Sequence, residues 1–110
     1  MSLTEENRTT LNSFLVRAGF TAIAENFRAD VNQTNTYGLT PLYIAAQEGQ
    51  LHVAQLLLDR GADVNKARTN GTTPLFIAVL KGQLAVAQLL LDRGADVNKA
   101  RNYGVTPLYI

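Results

Sequence analysis

A chain of 110 residues with 46% hydrophobic and 17% charged residues is sized for one small globular domain, and its composition sets it apart from disordered chains. No apolar run approaches the roughly 18 to 20 residues that a bilayer crossing needs, and a net charge of +1 argues against a chain built to neutralise phosphates. The absence of cysteine removes disulfide frameworks, thiolate nucleophiles and most structural zinc sites, and it fits a reducing, intracellular compartment such as the cytoplasm.

One offset organises the sequence. Gly38, Gly71 and Gly104 each open Gly-x-Thr-Pro-Leu, thirty-three positions from one to the next. Asp30-Val31-Asn32 stands the same distance before Asp63-Val64-Asn65, so residues 1–37 read as a diverged first copy. Met1-Ser2-Leu3 lacks the basic start and apolar stretch of a secretory signal. Ser2-Leu3-Thr4-Glu5 reads as a reciprocal helix-start box, and Glu5, Glu6, Asn7 and Arg8 keep one face wet, as a solubilising cap requires. Leu11, Phe14, Leu15 and Ile23 then pack inward. Arg28 stands where Gly61 stands one unit later, so the turn before Asp30 is built differently.

In residues 38–70, Thr40-Pro41 predicts a helix start: a threonine oxygen accepts an otherwise unpaired N–H, and proline fits the first helical turn. Leu42, Ala45 and Ala46 give this helix one narrow apolar face, ended near Gly49. Leu51, Val53, Ala54, Leu56, Leu57 and Leu58 are too apolar for a helix with one wet side, so a second helix packed on several sides is expected up to Gly61. Ala62 to Asn70 is polar and turn-rich and should project as a finger. In it, Asp63 and Asn65, with Asp96 and Asn98 one unit on, are expected to satisfy turn backbone through their short side chains. Residues 71–103 repeat the plan through Thr73-Pro74, Gly82 and Gly94, differing from 38–70 at only eight of thirty-three positions. A third copy begins at Gly104, carries Thr106-Pro107 and runs to Ile110.

A helix pair with a turn, recurring at this fixed period around Thr40-Pro41-Leu42-Tyr43-Ile44-Ala45-Ala46 and Gly61-Ala62-Asp63-Val64-Asn65, resembles the ankyrin repeat. The resemblance is close over residues 38–110 and partial over 4–37. It implies an all-α solenoid of stacked antiparallel helix pairs with projecting β-hairpin-like fingers. It also implies a concave face formed by the fingers and first helices, and a role in protein binding. Two departures stand out. The histidine usual after Thr-Pro-Leu is Tyr43, Phe76 and Tyr109 here, which removes a side-chain hydrogen bond. At the finger, where the family often carries aspartate, this chain has Asn35, Arg68 and Arg101, which reverses the local charge.

On that plan the recognition surface comprises finger positions and the exposed ends of first helices. These are Thr36, Tyr37, Leu39, Gln47, Glu48, Thr69, Asn70, Thr72, Leu80, Lys81, Asn102, Tyr103 and Val105. Five of the eight differences between the two full copies fall in these columns while the apolar positions are copied almost unchanged. Tyr37 and Tyr103 are either binding anchors or packing for the neighbouring finger. Lys66, Arg68, Lys99 and Arg101 recur at the period as a basic ladder, suited to an acidic partner segment or serving as a solvated edge. His52 is the only histidine and reads as a surface residue, so neither a metal cluster nor a nucleophilic relay is assembled, and no catalytic residue or cofactor is expected. Asp59-Arg60 and Asp92-Arg93 are adjacent on a helix and do not face each other, so they read as mixed-charge surface. The apolar helix start at 104–110 has nothing following it, which suggests either a fragment of a longer array or self-association. A non-catalytic protein-binding module is the best reading; a regulatory or spacer segment is its rival, and nucleic acid is a weaker partner.

Overall fold

The computed structural model describes residues 4–20 and 31–99. Among them are five helices and no strand: α1 (Glu5–Arg17), α2 (Pro41–Glu48), α3 (Leu51–Asp59), α4 (Pro74–Leu80) and α5 (Leu84–Asp92). The pair α2 and α3 packs together, as does α4 and α5. The two pairs stack with α2 against α4 and α3 against α5, and α1 covers α3 from the N-terminal side.

Each first helix begins as its sequence dictates. Thr40 Oγ1 accepts the Tyr43 N–H at 3.1 Å and Thr73 Oγ1 accepts the Phe76 N–H at 3.2 Å, with proline in the first turn each time. Their burial is wider than the expected narrow face. Pro41 through Ala46 and Pro74 through Ala78 are buried at every position, including Tyr43 and Ile44. The reason is tertiary: α2 is covered by its own second helix and by α4, so side chains pointing in several directions meet protein.

The second helix α3 packs against α1, α2 and α5, in line with its apolar composition, yet it keeps a wet strip at His52, Gln55 and Asp59. Val53, Ala54, Leu56 and Leu57 are buried. Side chains such as valine and leucine each contribute roughly 1.5–3 kcal/mol when removed from water. The chain then turns at Gly61, whose φ of +91° is a left-handed conformation open to glycine at little steric cost.

At the N-terminus the cap is Thr4 rather than a box built from Ser2, which lies outside the described residues. Thr4 Oγ1 accepts the Asn7 N–H at 3.1 Å, which makes Asn7 the third helical residue and leaves Glu5 and Glu6 in the first turn, where carboxylates suit the positive end of the helix. Leu11, Phe14 and Leu15 are buried as expected; Ile23 and Arg28 lie outside the described residues. Gly19, at φ +87°, terminates α1, and Phe20 N–H returns to the Leu15 carbonyl at 2.9 Å. The same closure joins Ala62 to Leu57 at 3.0 Å and Ala95 to Leu90 at 2.9 Å.

Side-chain amides tie one unit to the next. Asn32 Oδ1 accepts the Asp63 N–H at 2.8 Å, and Asn65 Oδ1 accepts the Asp96 N–H at 2.9 Å. Within each turn Asp63 Oδ1 accepts the Asn65 N–H and Asp96 Oδ1 the Asn98 N–H, both at 2.9 Å. The expected backbone role is present for the side chains of Asp63, Asn65 and Asp96, and Asn65 adds a link between units, as Asn32 does one unit earlier. Arg93 crosses from the end of α5 to Asp59 of α3 at 2.9 Å, so the acid pairs with the arginine one repeat on and not with its neighbour Arg60. Both partners are exposed, and such a pair is worth at most about 1 kcal/mol.

Two glycines with left-handed backbone provide a test of these contacts. Around Gly61 an added Cβ meets nothing within 4 Å, whereas at Gly49 (φ +72°) it runs into the Gln83 side chain, whose Nε2 donates to the Gln47 carbonyl at 3.2 Å. Gly61→Ala is expected to cost about 1 kcal/mol, the backbone contribution alone. Gly49→Ala should cost measurably more, because the link to the next repeat must also shift. Urea midpoints of the two variants check this, and equal losses would contradict it.

Candidate protein-binding surface

The fingers position most of the residues expected to recognise a partner. In the first, Asn35 N–H donates to the Leu39 carbonyl at 3.0 Å and Gly38 N–H to the Asn35 carbonyl at 3.0 Å. In the second, Arg68 N–H donates to the Thr72 carbonyl at 3.0 Å and Gly71 N–H to the Arg68 carbonyl at 2.9 Å. This is a three-residue hairpin loop closed by a residue with positive φ, which explains the glycine in each copy: φ is +76° at Gly38 and +89° at Gly71. Each loop lifts two side chains into solvent, Thr36 and Tyr37 in one and Thr69 and Asn70 in the other. Tyr37 is 77% exposed, so it stands free of the neighbouring finger.

The residues after these glycines behave differently from the surface role expected of them. Thr72 is buried, at 3% exposure, and Leu39 is partly buried against the hydrophobic core. The hairpin turns the chain inward before the helix cap, so this column supports the finger from beneath and does not offer a contact surface. Asn70 is exposed, but its Oδ1 accepts the Thr72 N–H at 3.0 Å.

At the far ends of the first helices, Gln47 and Glu48 on α2 and Leu80 and Lys81 around the end of α4 are exposed. Glu48 is held by Arg17 at 3.1 Å, and Leu80 keeps 49% of its surface in water. Of the basic ladder, Lys66 and Lys99 are exposed. Arg68 is half-buried and its guanidinium lies over the Tyr43 ring, 5.8 Å from the centroid. Arg101, Asn102, Tyr103 and Val105 lie outside the described residues, as do Tyr109 and the helix start at 104–110. Tyr43 is the component that sequence reasoning missed. The sequence marks it only as a replacement for the usual histidine, and the placement of the Arg68 guanidinium over its ring is what ties it to the finger.

His52 is exposed and hydrogen-bonds Asn7 Oδ1 at 2.9 Å, which spends it on the join between α3 and α1. Among the described residues no group of three or more His, Cys, Asp or Glu side chains is placed to hold a metal ion, and no helix is long and apolar enough to cross a membrane.

Stacked helix pairs with hairpin fingers, joined through side-chain amides at a fixed period, define a helical-repeat solenoid. A family profile described as ankyrin repeats (3 copies) matches residues 6–101 and, in a second match, residues 67–110. The chain belongs to the ankyrin repeat family. Ankyrin repeats generally serve as protein–protein interaction modules and are typically non-catalytic scaffolds. No curated protein matches the chain.

Two adjacent threonines separate surface from support. Thr72 Oγ1 is buried without a hydrogen-bond partner, while Thr73 Oγ1 caps α4. Thr72→Val should therefore be neutral or stabilise by up to about 1 kcal/mol, since an isosteric apolar group removes an unsatisfied hydroxyl. Thr73→Val should destabilise by about 1 kcal/mol through loss of the cap. Thermal melts of the two variants check the opposite signs.

Proposed function

We propose that this chain is a non-catalytic interaction module that holds a partner protein against its fingers and the exposed ends of its first helices. The observation that carries the reading is the contrast between a nearly unchanged buried core and altered exposed positions. Where α2 ends in Gln47 and Glu48, the next copy presents Leu80 and Lys81, exchanging an amide for an exposed aliphatic and a negative charge for a positive one. Tyr37 adds an aromatic side chain with most of its surface free, a residue type enriched among those that dominate binding energy. Lys66 and Lys99, both exposed at the same place in successive fingers, favour a partner with an acidic segment.

The test is affinity capture on the immobilised chain beside a variant carrying Tyr37→Ala and Leu80→Glu, neither of which removes a buried group. A specific protein retained by the parent chain and lost or weakened at least tenfold by the variant is the expected result. Equal retention by both would move the binding surface elsewhere, and no specific capture would favour a spacer role.

Self-association is a second reading, favoured by the apolar edge of α5. Leu84 is 72% exposed where its counterpart Leu51 is 36% exposed, and Leu91 is 43% exposed where Leu58 is only partly accessible. In the preceding repeat α3 is covered by α5, which stacks on it. A second copy docked on α5 would restore that cover. Light scattering across a concentration series should then show a dimer that Leu84→Glu dissociates, and a monomer at every concentration would reject it.

A further inference from the structure

The two described fingers share a backbone but differ in how the residue at their base uses its side chain. Asn35 spends its amide on its own surroundings. Oδ1 accepts the N–H groups of Tyr37 at 2.9 Å and Leu39 at 3.2 Å, and Nδ2 donates to the Ala18 carbonyl at 3.1 Å. Arg68 occupies the same place one repeat on and makes the same backbone hydrogen bonds. Arginine has no acceptor, so Thr72 N–H turns to Asn70 instead, and the guanidinium is left without a local task. It settles over Tyr43, with its Nε buried and unpartnered, and the hydroxyl of Thr72, the residue whose carbonyl accepts the Arg68 N–H, is orphaned as well. No carboxylate among the described residues ion-pairs with Arg68; the acids that do pair are Glu48 with Arg17 and Asp59 with Arg93.

A guanidinium carries five N–H donors in a planar fork, and the Arg68 side chain donates none of them to a partner among the described residues. The Tyr43 ring also limits the arrangements the long side chain samples, so part of the ordering cost of binding is met beforehand. A planar group with two acceptors fits such a fork bidentately, and Lys66, exposed two residues earlier, adds positive charge nearby. We propose that Arg68, held on the Tyr43 ring at the base of the second finger, is a carboxylate-capturing site, and that its ligand is a carboxylate of the partner protein, from an acidic side chain or a chain terminus. This rests on the reading of the finger face as protein-binding.

The test is a titration of the isotope-labelled full chain, following the Arg68 Nε–Hε resonance, which is assigned by through-bond correlation from the Arg68 backbone. Three probes separate the sources: hexaglutamate blocked at both ends, acetyl-(Gly-Ser)3 with a free C-terminus, and the same Gly-Ser peptide amidated. A saturable shift with hexaglutamate alone assigns an acidic side chain, and one with the free-terminus peptide assigns a chain end. The amidated peptide should do nothing. Binding should weaken about tenfold in Arg68→Gln and by a smaller factor in Arg68→Lys, which keeps the charge and loses the fork. The titration of the parent chain stands whether or not either variant folds. No saturable shift with either carboxylate probe overturns the site, as does equal hexaglutamate affinity in a folded Arg68→Gln chain, which would leave the lysines as its ligands. A captured partner retained at full strength by Arg68→Gln likewise sinks the site and leaves the interaction reading intact. A saturable Arg68 shift beside failed protein capture does the reverse.

Discussion

No helix in the repeats can stand alone, and every other property of the molecule follows from that constraint. Helices α2 to α5 have seven to nine residues each. Isolated helices shorter than roughly 12 to 15 residues are marginal in water, so their stability has to come from neighbours. The stacking of α2 on α4 and of α3 on α5 provides it, burying the first helices through most of their length. The units are therefore coupled by their cores, and the exposed positions at helix ends and finger loops carry little of the burden of folding.

The hydrogen bonds between units complete the coupling where the chain leaves its helices. A finger loop has many backbone N–H groups and few partners of its own. Asn32 and Asn65 each reach the N–H of the aspartate in the following unit. Because the aspartate oxygen is already committed to the N–H two residues on, each turn is closed from within and anchored from behind. Exposed ion pairs such as Arg93 with Asp59 follow the same direction across repeats but contribute far less. Fingers held in this way keep their backbone when the side chains at their tips are exchanged.

Much of this was legible in the residues, and the failures have physical causes. The threonine caps, the left-handed glycines and the turn roles of Asp63 and Asn65 are local devices, and local spacing reveals them. Burial around α2 is set by α4, a helix one full repeat further along the chain, so the Leu42, Ala45, Ala46 pattern understated it. Thr72 shows the limit most plainly. It varies against Leu39 and sits beside a finger, which suggests surface, but the hairpin turns it inward to 3% exposure. At the N-terminus two hydroxyl residues precede the first helix, and only the geometry chooses Thr4.

Arg68 joins the two lessons. A sequence comparison registers the replacement of Asn35 by Arg68 as a change of charge, and that describes only part of its effect. Asparagine at a finger base is both donor and acceptor and closes the loop on itself. Arginine only donates, so the loop must find another acceptor in Asn70, and a cation is released onto the adjoining first helix. The backbone tolerates the exchange because its closure rests on the Arg68 to Thr72 hydrogen bond and on a left-handed Gly71, neither of which depends on the side chain. In a repeat array the same framework thus yields a self-satisfied finger in one unit and a finger with unspent donors in the next. Positions of the second kind are where a scaffold acquires recognition without altering its fold.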